Sequence, residues 1–296
     1  MRKILNFGSL NYDYVYRVDH ILQGGETLAA CDLQEFCGGK GLNQSVAMVR
    51  AGLSVFHAGS LGEEGERLAT FLKKEGVDIR YCRCLPGKSG HTIIQVDKDG
   101  QNSILVFGGA NRCQDRGFID QVLQNFDADD ILVLQNEINE LSYILEAAAN
   151  MGMNIVFNPS PVNDEITRMS LSAVRYFIIN EIEGYMLSGE SDPLKILAKM
   201  KQLYPRATVV LTMGALGVYA VSSDSEKVFY QEAFPVVAVD TTAAGDTFLG
   251  YFLAGLCQQK AIPDCLKLAA KAAAITVTRP GAAPSIPRRS ELSAAE

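Results

Sequence analysis

Short runs rich in Val, Ile and Leu alternate along the chain with stretches whose apolar residues recur at helical spacing, which predicts the strands and helices of an α/β layered fold. The first run, Lys3 to Gly8, predicts a strand. Helical spacing follows over Leu42 to Arg50 and Glu64 to Glu75, the second stopped by Gly76. Strand-length runs then fall at Ile131 to Gln135, Asn154 to Asn158, Tyr176 to Ile179 and Thr208 to Thr212, with helical patterns between most of them. That alternation implies a three-layer sandwich, a mostly parallel central sheet with helices on both faces. The C-terminal third predicts strands at Val218 to Val221, Lys227 to Tyr230 and Val236 to Val239, then helices at Gly245 to Cys257 and Pro263 to Val277. Phe248, Leu249, Phe252, Leu253 and Leu256 spread over a wide arc of the first of these helices, so it should be deeply buried.

Two segments break the rhythm, residues 12–36 and 79–107. In the second, Thr92 to Asp97 and Asn102 to Phe107 flank the turn Lys98-Asp99-Gly100-Gln101 and predict a hairpin. Both segments lack helical patterning, so they are expected to pair into a small β-sheet that stands off the main layers as a lid or a dimer surface. With no internal repeat and no low-complexity linker, residues 1–296 are expected to form one domain.

Composition narrows the partners. At 296 residues and 48% hydrophobic the chain has the means to bury a large core, and its net charge of −7 offers no basic surplus for nucleic acid or an anionic membrane. No stretch reaches the roughly 20 apolar residues of a membrane span. The N-terminal apolar run is too short for a signal peptide. The 7 cysteines are odd in number and scattered, a pattern of reduced thiols, so a cytoplasmic protein is expected. Cys82 and Cys84 read as alternating residues of a strand, since zinc pairs are spaced by two to four residues. His20, His57 and His91 show no ligand spacing and are assigned no chemistry.

The segment Asp240-Thr-Thr-Ala-Ala-Gly-Asp246 lies between a predicted strand and the buried helix. A helix start offers unpaired backbone N–H groups and the positive end of the macrodipole to an anion. Ala243, Ala244 and Gly245 have almost no side chain to keep a phosphoryl oxygen away from those amides, and Asp246 falls in the first turn beside them. A carboxylate there is suited to accept a hydroxyl proton and orient that oxygen for in-line attack. A helix opening with small residues and a favourable acid is the plainer account of the same residues. Other nucleotide signatures are missing: Gly39-Lys40 has Gln34 where a P-loop needs glycine, and the Gly39 and Gly41 pair meets Gln44 where a dinucleotide fold needs one.

Seven motifs occur in order over nearly the whole chain: Gly8-Ser-Leu-Asn-Tyr-Asp13, Gly38-Gly-Lys-Gly-Leu-Asn-Gln44, Leu134-Gln-Asn-Glu137, Asn180-x-x-Glu183, Thr212-Met-Gly-Ala-Leu-Gly217, the Asp246 segment, and Val277-Thr-Arg-Pro-Gly-Ala-Ala-Pro-Ser285. Together they resemble the ribokinase-like carbohydrate kinase family. The resemblance implies that Asn11 and Asp13 hold sugar hydroxyls, and that Gly39, Lys40, Gly41 and Asn43 wrap the sugar with Glu137 as a further ligand. It implies that Thr212, Gly214, Ala215, Gly217 and Gly245 contact ATP. Asn180 and Glu183 would organise the Mg2+ and phosphate region through water, although the same pair also reads as a capping box. A monovalent cation, K+, would sit at Asp240 and the carbonyl of Thr242, with Thr276, Arg279, Gly281 and Ser285 on a second loop.

By the same resemblance the expected reaction moves the γ-phosphoryl of ATP to the primary hydroxyl of D-ribose, with Gly38 to Gly41, Gln44 and Leu134 to Glu137 as the signal for that sugar. Another pentose, a deoxypentose, a ketose or a nucleoside is the alternative substrate on the same fold, and a non-catalytic sugar-binding protein is the alternative class. The chain departs from the family pattern at Ile179, Pro280 and Ala283, at Tyr12 between the two sugar-binding positions, and at Ala270 beside the expected adenine. A homodimer through the β lid is expected, because an uncovered small sheet is a liability.

Overall fold

The computed structural model describes residues 2–293. The strands and helices in chain order are β1 (Ile4–Phe7), β2 (Asn11–Arg17), β3 (Asp32–Gly38), α1 (Lys40–Arg50), β4 (Val55–Leu61), α2 (Glu66–Glu75), β5 (Asp78–Cys84), β6 (Gly90–Val96), β7 (Asn102–Phe107), α3 (Arg116–Leu123), β8 (Ile131–Gln135), α4 (Leu141–Asn150), β9 (Asn154–Asn158), α5 (Asp164–Arg168), β10 (Val174–Asn180), α6 (Glu181–Ser188), α7 (Pro193–Leu203), β11 (Thr208–Thr212), β12 (Val218–Val221), β13 (Val228–Gln231), α8 (Ala244–Cys257), α9 (Ile262–Val277) and α10 (Arg289–Ser293).

The apolar runs become strands because both of their faces are covered. Along the central strands, alternate side chains enter two separate cores: Ile4, Val133, Val156, Ile178 and Val210 face one, and Leu5, Leu132, Phe157, Phe177 and Val209 face the other. Helices α1, α2, α8 and α9 close the first core, while α3, α4 and α7 close the second. The large sheet has 9 strands in the order β13-β12-β11-β10-β9-β8-β1-β4-β5. Its neighbours are parallel from β5 through β11, and only the β11–β12 and β12–β13 pairs are antiparallel. This is the three-layer α/β sandwich expected. Helix α8 is deeply enclosed, as expected, with Phe248, Leu249, Phe252 and Leu253 all buried in the core shared with α1 and α9.

A second sheet of 4 strands, β3-β2-β6-β7, stands apart from the first. The β6–β7 hairpin turns where its sequence predicts, with Asp97 Oδ1 accepting from the amides of Asp99 and Gln101, each at 2.9 Å. The expected boundary of this lid moves, however. Residues 78–84 pair in parallel with β4 as the edge of the large sheet, so the second lid segment begins at Gly90 and not at Ile79. Their mostly half-buried residues belong equally to a sheet edge and to a lid, and only the pairing separates the two. Strand β4 was not marked by its sequence, because His57, Gly59 and Ser60 interrupt its apolar run, yet all three are buried.

The strand expected at Val236 to Val239 does not form. Residues 232–238 run without regular structure, Val237 is 85% exposed, and no neighbouring strand is present to take up their backbone groups. All 7 cysteines are free; Cys82 lies on β5 with its thiol against the carbonyl of His57.

Candidate active site

The carboxyl ends of the parallel strands β1 and β8 lie side by side, and the start of α1 is folded down onto them. Two glycines make that approach feasible. Gly39, the cap of α1, has φ +93°, a conformation that side chains rarely adopt. A Cβ on Gly41 would lie 2.3 Å from the Ser9 amide. The hydroxyl of Ser9 then donates to Glu137 Oε2, which also accepts the Lys40 amide at 2.9 Å, while the Gly41 amide donates to Ser9 Oγ at 3.1 Å. Glu137, just beyond β8, is thereby fixed against the helix start.

Around this point the structure gathers the polar residues expected to hold a sugar. Asn11 and Asp13 project from one face of β2; Asn11 Oδ1 accepts from Asn111 Nδ2 at 2.7 Å, and Asp13 Oδ1 accepts from Thr92 Oγ1 at 2.6 Å. Asn111 is a member of the set that its sequence did not reveal. Burial and the nearby Glu137 charge raise the Asp13 carboxyl from 3.8 to about 6, against the pull of the Thr92 hydroxyl. Burial also raises Glu137, opposed by the Lys40 ammonium and the Ser9 hydroxyl. Burial would lower the Lys40 ammonium, but Asp246, Glu137 and Glu183 surround it with negative charge and leave it raised. Asn43 Oδ1 is buried with no hydrogen-bond partner among the described residues, an acceptor placed for a ligand donor. Such a pocket, rich in carboxylate and amide groups around one ammonium, suits a neutral polyhydroxylated molecule.

Tyr12 does not narrow this pocket. Strand alternation sends it to the opposite face of β2, where it is 5% exposed and its hydroxyl donates to Glu64 O at 2.7 Å.

Asp246 lies in the first turn of α8 and is 7% exposed. Its Oδ1 accepts from Gln44 Nε2 at 2.9 Å and its Oδ2 from Asn43 Nδ2 at 3.3 Å. The helix is capped by Ala243 at φ +59°, a left-handed turn that costs an alanine roughly 1 kcal/mol. Among the described residues the amides of Ala243, Gly245 and Asp246 have no hydrogen-bond acceptor, whereas that of Ala244 donates to Thr241 O at 3.3 Å, so three amides at this helix start, an anion cradle, are open to a ligand.

On the far side of that cradle lies a cavity of about 500 Å3. Thr212, Gly214, Ala215, Gly217 and Gly245 all line it, as expected. Residues 232–236, together with Ala238, supply a wall, and this wall includes Val236 and Ala238 of the segment expected to be a strand. Ala270, Ala273 and Val277 of α9 form the floor, and the small Ala270 leaves that floor open. Asn180 and Glu183 stand outside the cavity lining. They form a capping box at the start of α6, with Asn180 Oδ1 accepting the Glu183 amide at 2.8 Å and Glu183 Oε2 accepting the Asn180 amide at 3.0 Å. Burial raises the Glu183 carboxyl, and the Asn180 amide pulls it back.

Beside the cradle, Asp240 ties two loops together. Its Oδ1 accepts from the Thr242 amide at 2.9 Å and the Thr242 hydroxyl at 2.6 Å, and its Oδ2 from the Gly281 amide at 2.8 Å. Burial works against the ionised form, yet these donors outweigh it and hold the carboxyl low. The side chains of Thr276 and Ser285 turn inward, to Thr247 Oγ1 at 2.9 Å and Ala282 O at 2.7 Å, and Arg279 pairs with Glu291. Arg50, at the far end of α1, anchors the second loop by donating to Ala283 O at 2.8 Å and to Ile286 O.

The whole chain has relatives of known activity. A model of the pfkB family of carbohydrate kinases matches residues 1–289. The chain is 34% identical over 306 residues to the ribokinase of Schizosaccharomyces pombe, an alignment covering 97% of this chain and 95% of that protein. Among solved structures it superposes on the ribokinase of Cryptococcus neoformans in complex with ADP, at a TM-score of 0.87 and 28% identity over 100% of both chains. The Arabidopsis thaliana ribokinase complexed with ribose and ATP gives a TM-score of 0.85 at 27% identity, covering 99% of this chain and 97% of that one. A full-length match of this kind, with a buried carboxylate between a polar pocket and a cavity, leaves one assignment: the chain belongs to the pfkB family of carbohydrate kinases, phosphotransferases with an alcohol group as acceptor.

Proposed function

We propose that the protein transfers the γ-phosphoryl group of ATP to the primary hydroxyl of D-ribose, giving ribose 5-phosphate and ADP. The observation that carries this reading is the position of Asp246, which faces the polar pocket through Asn43 and Gln44 while its neighbours Ala244 and Gly245 line the 500 Å3 cavity. Sugar in the pocket and nucleotide in the cavity would therefore meet at one helix start. Asp246 accepts the hydroxyl proton as the sugar oxygen bonds to the γ-phosphorus, and the bond from that phosphorus to the bridging oxygen breaks with its electron pair leaving on ADP. The free amides of residues 243, 245 and 246 meet the charge on the transferring group. Asn11, Asp13, Lys40, Asn43 and Glu137 hold the remaining hydroxyls and fix which one reaches Asp246.

Among the described residues no three of His, Cys, Asp or Glu stand together as a metal cage. Mg2+ would arrive on the nucleotide phosphates, and Glu183 would help to organise that region through water. Bound there it neutralises phosphate charge. For K+, Asp240 supplies a carboxylate, and the carbonyls of Thr242, Arg279 and Gly281 accept no hydrogen bond from described residues. One carboxylate among free backbone oxygens suits a large monovalent cation, and a rise in turnover when K+ replaces a bulky organic cation is the check. No helix among the described residues is long and apolar enough to cross a membrane, and the reading places the enzyme in the cytoplasm, where its nucleotide is found.

The small sheet is proposed to close over the sugar and to pair with that of a second copy. Register puts Val106 beside Thr92 and Asp13, and Ile104 beside Ile94 and Val15, so one face runs from the pocket to an apolar margin. Ile104 and Val106 are 54% and 58% exposed on it, which is more apolar surface than an isolated lid should present.

A panel of sugars and nucleosides assayed by ADP release tests the assignment. D-ribose should be turned over at least 100-fold more efficiently than 2-deoxyribose, because a site built for a hydroxyl leaves buried groups unpaired when that hydroxyl is missing. Equal turnover of the two sugars would remove ribose as the substrate while leaving the kinase intact.

A further inference from the structure

Beneath the sugar pocket the buried side chains of Asn6, Gln135 and Gln44 and the half-buried Asn158 form one hydrogen-bonded chain, and backbone carbonyls fix the amide orientations at both ends. Asn6 Nδ2 donates to Gly41 O at 2.7 Å and to Ser45 Oγ at 2.8 Å. A carbonyl only accepts, so Asn6 must present Nδ2 on that side and Oδ1 on the other. Gln135 Nε2 donates to that Oδ1 at 2.9 Å and to Gln44 Oε1 at 2.7 Å. With its oxygen occupied, Gln44 has both Nε2 hydrogens to give, and they go to Asn158 Oδ1 at 3.1 Å and Asp246 Oδ1 at 2.9 Å. Asn158 is held in turn by Ile178 O, to which its Nδ2 donates at 2.9 Å.

Amide orientation is ordinarily open to inversion, but here any single flip sets two acceptors face to face. The arrangement leaves a mark at Gln135, whose Oε1 is buried without a partner because both of its hydrogens are committed elsewhere. A buried amide left half satisfied points to a requirement for that orientation.

We propose that Gln44 is a positioning residue for phosphoryl transfer, the last member of a donor relay that runs from Gln135 through Gln44 to Asp246, where it pins Oδ1 and leaves Oδ2 to take the substrate proton. The proposal rests on Asp246 as the base. Pinning one oxygen by a short N–H bond fixes the carboxylate rotamer, and Oδ2, held only by Asn43 Nδ2 at 3.3 Å, stays available to the hydroxyl. Gln44 is 0% exposed and lies under the sugar, so its effect belongs to kcat and not to sugar binding.

The test is steady-state kinetics of the full-length enzyme with ribose and Mg-ATP for Gln44→Met, Gln135→Glu, Asp246→Asn and the Gln44→Met/Asp246→Asn pair. Gln44→Met keeps volume and removes the donor; kcat should fall about 10- to 100-fold with the KM for ribose within about twofold of the parent. In the Asp246→Asn background the same change should lower kcat by less than about twofold, since no carboxylate remains to be pinned. Gln135→Glu touches neither Asp246 nor the sugar, yet it turns the donor to Gln44 into an acceptor, and it should lower kcat in the same way. This second variant carries the test if Gln44→Met does not fold. Unchanged kcat in either folded variant, a loss confined to KM, or an equal loss in the Asp246→Asn background would overturn the relay. Normal turnover in Asp246→Asn alone would instead remove the base assignment, and the relay with it, so the two failures are told apart.

Discussion

Asp13 is a buried carboxyl in the sugar pocket whose environment works against its charged form. Its carboxyl is raised from 3.8 to about 6 by burial and by the charge of Glu137. The sign follows from linkage: the folded protein holds this proton more tightly than the unfolded chain, so the associated stability is fully present below pH 3.8 and lost as pH rises through 6. Asp13→Asn removes the ionisation, and in sugar-free protein it should be more stable than the parent by about 1–2 kcal/mol at pH 8, with the difference fading toward pH 4. Chemical denaturation at the two pH values measures this, and a variant less stable than the parent at pH 8 would contradict it. The same substitution should raise the KM for ribose at least about tenfold, because an amide replaces an acceptor of two hydroxyls. Single residues were also where the sequence was most and least informative. Asp246 and its small neighbours announce their chemistry locally, through type and spacing. Asn6, His57, Gln44 and Gln135 are each at most 1% exposed, and their hydrogen-bonded network was not legible in the sequence because the partners come from distant segments that only the fold assembles.

Helix α8 begins at the boundary of the two binding regions, and its left-handed entry at Ala243 aims the cradle amides at the cavity. A β-branched residue is poorly accommodated at positive φ, so Ala243→Val should reorient the turn. The expected outcome is a fall in kcat of at least about 100-fold, of the order found when an oxyanion donor is lost, with Tm lowered by only a few degrees. Parent-like kcat would show that the cradle does not meet the transferring group. Elements of regular period were legible in the sequence: α1, α2, α8, α9 and the β6–β7 hairpin all form within a few residues of their predicted bounds. Two errors share one cause, the need for a partner strand. Residues 78–84 have the large sheet's edge to pair with and join it, whereas residues 236–239 have none and become the wall of a cavity.

Over the whole molecule the small sheet is proposed to play two roles, cover for the sugar and contact with a second copy. The 32.1 kDa chain should therefore run as a dimer in light scattering. Substituting Ile104→Lys and Val106→Lys together should give a monomer with a raised KM for ribose and an unchanged KM for ATP, since the altered face adjoins Asp13 and not the cavity. A parent protein that is monomeric at assay concentration would contradict the pairing. The order of the motifs made the architecture readable from the sequence, because most of them sit at the end of a strand or the start of a helix, and the last follows the end of α9. The apolar margin of the small sheet was not readable as such until the strands were paired.

The account depends above all on Asp246 delivering a ribose hydroxyl to ATP, and 31P NMR of a reaction containing enzyme, D-ribose, ATP, Mg2+ and K+ tests that most directly. The account predicts a phosphomonoester at the 5-position growing with ADP in equal amounts, and a loss of at least about 1,000-fold in its rate in Asp246→Asn while ribose still binds. ADP formed with inorganic phosphate and no sugar ester, or an Asp246→Asn variant that turns over at the parent rate, would contradict it.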